Sequence, residues 1–208
     1  EYYFMSVPEK QHMKLSVANP TGLGLFGLAM VTFVASSQKL GITTGLSFVI
    51  VYAIFLGATA QLIASISDFL HENIWGATVF GAYAFFWYAV ATCWMMKMGV
   101  FGKELAAAAD VNQLGFAFLG YLIFSVFMTI GAMEVNKVIF ADMVVIDILL
   151  AALSLNAFGI AAHTTHMIGA MAEMVTALIS FYAASAVVLN THFGKPFLPM
   201  GKPFGIFK

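Results

Sequence analysis

Long apolar runs separated by short polar breaks dominate this chain. Six runs, at about residues 22–37, 46–66, 75–96, 112–133, 138–162 and 167–189, read as spanning helices, each of which needs about 20 mostly apolar residues to cross a bilayer. The breaks between them, such as Gln38-Lys39, SDFLHEN and GKELAAAAD, are short, so neighbouring helices are expected to pack antiparallel. The pattern leaves no room for a soluble domain and shows no clear internal repeat. It predicts an all-α integral membrane protein, a single transmembrane domain over residues 1–208 built as a bundle of six transmembrane helices. The closing segment FGKPFLPMGKPFGIFK holds three of the five prolines and is expected to be irregular, lying along the membrane surface.

Composition agrees with the pattern. The chain is 62% hydrophobic and 9% charged, against about 45–50% and about 25% in a soluble domain. Net charge is −1, with nine Lys and no Arg, so the basic footprint of a nucleic-acid binder is missing. The single Cys93 offers neither a disulfide framework nor a cysteine metal site. The opening segment EYYFMSVPEKQHMKLSVA is too polar for a cleaved secretory signal. Lysine placement sets orientation. Lys10, Lys14, Lys137, Lys195, Lys202 and Lys208 fall on the side of both termini, against Lys39, Lys97 and Lys103 on the other. Six against three predicts cytoplasmic termini, in a multi-pass protein of the cell (plasma or inner) membrane.

The entrance to the first apolar run carries candidate chemistry. Asn19 is suited to cap a helix, Pro20 to sit at its first position, and Gly22 and Gly24 strip side chains from the first turn. Such a bare N-terminus, including Thr21, can hold a small anion; it can equally be a capped helix whose glycines permit close packing. Small residues four apart (Ala53 and Gly57, Ala157 and Ala161, Ser180 and Ala184) serve such packing too.

Charged groups inside a span are functional candidates. Asp142, Asp147 and Glu173 qualify, and with no lysine well inside a span no buried ion pair is expected. Burial disfavours the charged form of a carboxyl, so Asp147 and Glu173 are proton-relay candidates; Asp142, about one turn from Lys137, is expected near a water-exposed mouth. Gln61, Tyr83, Thr129 and Asn156 could line a path with neutral hydrogen-bonding groups, Gln61 and Tyr83 as donors to a carboxylate. Phe80, Tyr83, Phe86 and Trp87 share one face of the third run, as bundle core or as a narrow aromatic collar. The histidines lie at or beyond the span ends, which argues against haem ligation. His163 and His166 have no further ligand nearby, so no metal or other cofactor is expected. No nucleophile–base arrangement points to an enzyme.

Several stretches together resemble one family. ANPTGLGLFGLAM resembles the NPAPLGL signature of the acetate uptake transporters, also called succinate–acetate permeases. GATAQLIASISDFLHENIWGATVFGAYAFFW is similar to that family's second-to-third helix region, and VLNTHFGKPFLPMG to its closing motif. Gly22 stands where the family has its second proline. The resemblance implies a hexameric ring with a pore in each protomer, carrying acetate, succinate or related short carboxylates by channel-like conduction or proton coupling. It also implies a constriction, which by position falls on Leu28, Tyr83 and Ile146. Two alternatives stand beside it: a channel for another small solute such as ammonia, and a membrane protein without a pore.

Overall fold

The computed structural model describes residues 17–207. The expectations for the opening segment, and for Lys10, His12, Lys14 and Lys208, lie outside those residues. Among the described residues, six helices are long and apolar enough to cross a membrane: Thr21–Lys39, Ser47–Leu70, Ile74–Lys97, Val111–Ala132, Lys137–Ala157 and Ala162–Phe193. A short surface helix, Lys103–Ala108, joins the third span to the fourth.

Polar residues before the apolar runs start these helices. Asn73 Oδ1 accepts from the Gly76 N–H at 3.2 Å, Asp110 from Asn112 at 2.9 Å and Asn136 from Ile139 at 2.9 Å. Each satisfies a donor that the first turn would otherwise leave bare. The fifth span ends at Ala157, short of residue 162, because Gly159 and Ala161 take positive φ of 73° and 45°. The sixth therefore begins at Ala162 and runs 32 residues, so His163 and His166 fall in its first turns.

The second span is not uniform. Ala53–Ala60 forms a π-helix, a widened segment that often marks functional sites. The Thr59 hydroxyl donates to the Ile54 carbonyl, five residues back, at 2.8 Å.

The first span packs closely on the sixth and on the second. The third rests on the second, and the fifth lies between the fourth and the sixth. Gly22 shows why the first and sixth spans approach: a Cβ there would meet Val188 Cγ2 at 2.8 Å. The third and fourth spans meet through side chains instead. Trp75 Nε1 donates to Met128 O at 3.1 Å, and Tyr121 OH to Ala82 O at 3.0 Å.

Past Phe193 the chain is irregular, but it is tied down. Val138 N–H donates to Met200 O, and Phe204 N–H to Met133 O. Glu134 Oε1 accepts from Ile206 and Phe207 N–H at 2.8 and 3.0 Å. The tail thus straps the turn between the fourth and fifth spans. Glu134→Ala is expected to release the last residues of this strap, read as faster proteolytic removal of the C-terminus; an unchanged cleavage rate would count against it.

Candidate functional site

Four spans enclose a cavity of about 140 Å³ that opens toward the side bearing the chain termini. The first span supplies Thr21, Leu25 and Leu28; the second supplies Gln61. Asn73, Gly76, Phe80 and Tyr83 come from the start of the third, and Ile139, Asp142, Met143 and Ile146 from the fifth. A second cavity, of about 20 Å³, lies further along the same axis between Thr32, Trp87, Leu150 and Thr176. The first is close in size to apolar cavities of about 150 Å³ that take up a benzene; the second is near the size of one water.

Leu28, Tyr83 and Ile146 are the three residues that line both cavities. All three are buried, at 7%, 4% and 5% exposure. They stand where the larger cavity meets the smaller one. Tyr83 is fixed from behind: its hydroxyl donates to Ser125 Oγ at 2.8 Å, and its ring stacks on Tyr121 at 6.4 Å. Ser125 carried no signal in the sequence. The aromatic face divides between the chambers, with Phe80 on the lower and Phe86 and Trp87 on the upper.

The entrance forms a tight turn. Asn19 Oδ1 accepts from Thr21 N–H at 3.0 Å, and Pro20 already has helical angles. Thr21 lines the cavity, whereas Asn19 is exposed beside it. Gly24 is buried under Phe80, whose ring a Cβ would strike. The glycine thus admits the aromatic that closes one wall of the chamber.

The polar groups differ from the sequence-based reading. Gln61 is fully buried, and its Nε2 donates to Gly57 O at 2.7 Å. The donors expected of Gln61 and Tyr83 are therefore already engaged within the bundle. Asp142, expected near a water-exposed mouth, is 2% exposed and lines the chamber, with Oδ2 accepting from Ser180 at 2.6 Å. Asp147 lines neither cavity and accepts from Thr129 at 2.7 Å. Asn156 donates to Ala162 O at 2.7 Å, bracing the turn into the sixth span away from both cavities.

The expectation that no buried ion pair exists is corrected. Lys39, the last residue of the first span, places Nζ at 2.9 Å from both oxygens of Glu173, which is 1% exposed. The lysine stem lies along the packed helices while its ammonium stays partly exposed, at 17% against 1% for the acid. The pair ties the first span to the sixth on the side opposite the chain termini. Among the described residues, no cluster of three metal-ligating side chains occurs.

A model described as the GPR1/FUN34/yaaH family matches residues 5–201. The succinate-acetate/proton symporter SatP of Escherichia coli (strain K12) is 29% identical over 188 residues, covering 89% of this chain and 96% of the relative. Ammonia transport outward protein 2 of Saccharomyces cerevisiae is 30% identical over 173 residues, covering 81% of this chain and 61% of the relative. The solved structure of the bacterial acetate channel SatP superposes with a TM-score of 0.82 at 26% identity, covering 89% of this chain and all of that one.

Proposed function

Because this chain belongs to the GPR1/FUN34/yaaH family, we propose that it carries acetate and related short carboxylates, succinate among them, across the membrane. The path runs through the collar of Leu28, Tyr83 and Ile146. The observation that carries the reading is the shared boundary: a chamber large enough for a small solute, narrowed by three apolar side chains before it continues. An apolar constriction stops bulk water and ions. A small solute with a methyl group loses little in passing it.

Thr21, with Asn19, Pro20 and Gly24 shaping the turn behind it, receives the substrate at the mouth. Gln61 and Tyr83 border the path, and Trp87 stands beyond the collar. Thr129 and Asn156 serve the path indirectly, the first through Asp147 and the second by holding a turn. We place both termini in the cytoplasm of the plasma or inner membrane, on the six-to-three lysine asymmetry, and we assign a homo-hexameric assembly in which each protomer keeps its own pore.

Liposomes containing the pure protein are expected to accumulate labelled acetate, and no uptake above empty liposomes at any pH would overturn the reading. Ammonia passage is the second reading. It draws on the unpaired acceptor atoms Gln61 Oε1 and Asp142 Oδ1, which suit a hydrogen-bearing solute. Acetate uptake unaffected by excess ammonium supports the carboxylate, and ammonia flux untouched by acetate supports the alternative.

A further inference from the structure

Two oxygen atoms of the lower chamber's lining residues, Gln61 Oε1 and Asp142 Oδ1, are buried and have no hydrogen-bond partner among the described residues. Their chemistry is set by what their neighbours do. Gln61 spends its amide nitrogen on the Gly57 carbonyl, a group that only accepts, so the remaining atom is the oxygen. Asp142 has one oxygen held by the Ser180 hydroxyl and the other left open. Beside the collar, Tyr83 donates to Ser125, and Trp75 donates to Met128; Thr21 and Asn73 belong to the mouth of the chamber. The chamber therefore presents acceptors just below an apolar collar. A carboxylate brings only further acceptors, and a buried polar atom left unpaired costs about 1–3 kcal/mol. The same molecule carrying a proton brings the missing donor.

We propose that a carboxylate entering this chamber takes a proton from Asp142 and passes the collar as the neutral acid, with Gln61 Oε1 accepting from the new hydroxyl. In this step the O–H bond of protonated Asp142 breaks and an O–H bond forms on the substrate oxygen. No electrons change hands. Asp142 is left as a carboxylate, still held by Ser180, and regains a proton from the side of the chain termini. Anion and proton thus enter from one side and leave together as one neutral species. The collar needs no fixed positive charge, which agrees with its composition.

The surroundings of Asp142 keep it the acidic group positioned for this transfer. On its own helix Asp147 faces away to Thr129, and Lys137 lies beyond at the helix start, over the Phe204 ring at 5.9 Å. The sixth span brings Ser180 and, about two turns off, Glu173, which Lys39 already neutralises. The third span brings Tyr83, and the first brings Thr21, Leu25 and Leu28. Asp68 of the second span sits beside Gly76, on the side of the chain termini.

The inference rests on the carboxylate reading above, and its test separates the two. Acetamide matches acetate in shape, is neutral at every working pH and supplies its own N–H donors. Uptake of labelled acetate and labelled acetamide is measured in parallel in proteoliposomes at neutral pH. In Asp142→Asn the ratio of acetate to acetamide uptake is expected to fall by about tenfold, the usual scale of coupling between two ligands of one protein. A ratio equal to that of the wild type overturns the inference. Absence of acetate uptake in the wild type would overturn the carboxylate reading instead. If Asp142→Asn does not fold, Ser180→Ala provides the test. It removes the hydroxyl that holds the carboxyl, so it is expected to displace the pH at which acetate uptake is half-maximal while the acetamide profile stays flat. An unmoved acetate midpoint overturns the proposal.

Discussion

Replacing Lys39 with alanine is expected to destabilise the protein by about 3–5 kcal/mol, the cost of leaving one partner of a buried ion pair uncompensated. Glu173 is 1% exposed and both its oxygens sit 2.9 Å from the ammonium, so removing the lysine strands the acid inside the bundle. The double change Lys39→Met with Glu173→Leu is expected to recover most of that loss, because apolar groups of similar volume often replace a buried pair at little cost. Thermal unfolding in detergent reads both. A loss for Lys39→Ala below about 1 kcal/mol is the value of an exposed surface pair and would show that this contact does not hold the first and sixth spans together.

Tyr83→Ala is expected to widen the collar and let bulkier acids through. Tyr83 is one of three side chains between the two cavities, and its ring is the largest of them. Truncating a buried aromatic also costs about 3–5 kcal/mol, so the variant should be less stable as well as less selective. Uptake of labelled butyrate relative to acetate reads the selectivity, and an unchanged ratio would remove Tyr83 from the collar. Tyr83→Phe is the companion. It keeps the ring and loses only the 2.8 Å bond to Ser125, so it should retain selection while showing a smaller drop in stability.

Much of this architecture was legible from residue order. The six apolar runs mark the spans, and the cap at Asn19 follows from its place before Pro20; Asn73, Asp110 and Asn136 came as caps only with the structure. The fifth span ends where no residue type marks it. Ala161 has no signature of a left-handed conformation, so the run appeared to continue to residue 162. The π-helix at Ala53–Ala60 was invisible, since an i→i+5 register leaves hydropathy unchanged.

The site divides along the same line. Tyr83 and its aromatic neighbours share one helix face, so helical periodicity alone placed them together. Asp142 and Asp147 differ in role because of partners on other helices: Ser180 and the chamber for one, Thr129 for the other. Lys39 and Glu173 are 134 positions apart, and nothing local links them.

The chain's residue order by itself determined six apolar spans, their antiparallel succession and the cap at Asn19, because desolvation and backbone hydrogen bonding act over a turn or two of helix. Only the tertiary structure decided which polar atoms were left without partners and which carboxyl faced the chamber. Those outcomes depend on side chains from distant segments competing for the same few hydrogen bonds and the same space, and that competition begins only when the helices pack.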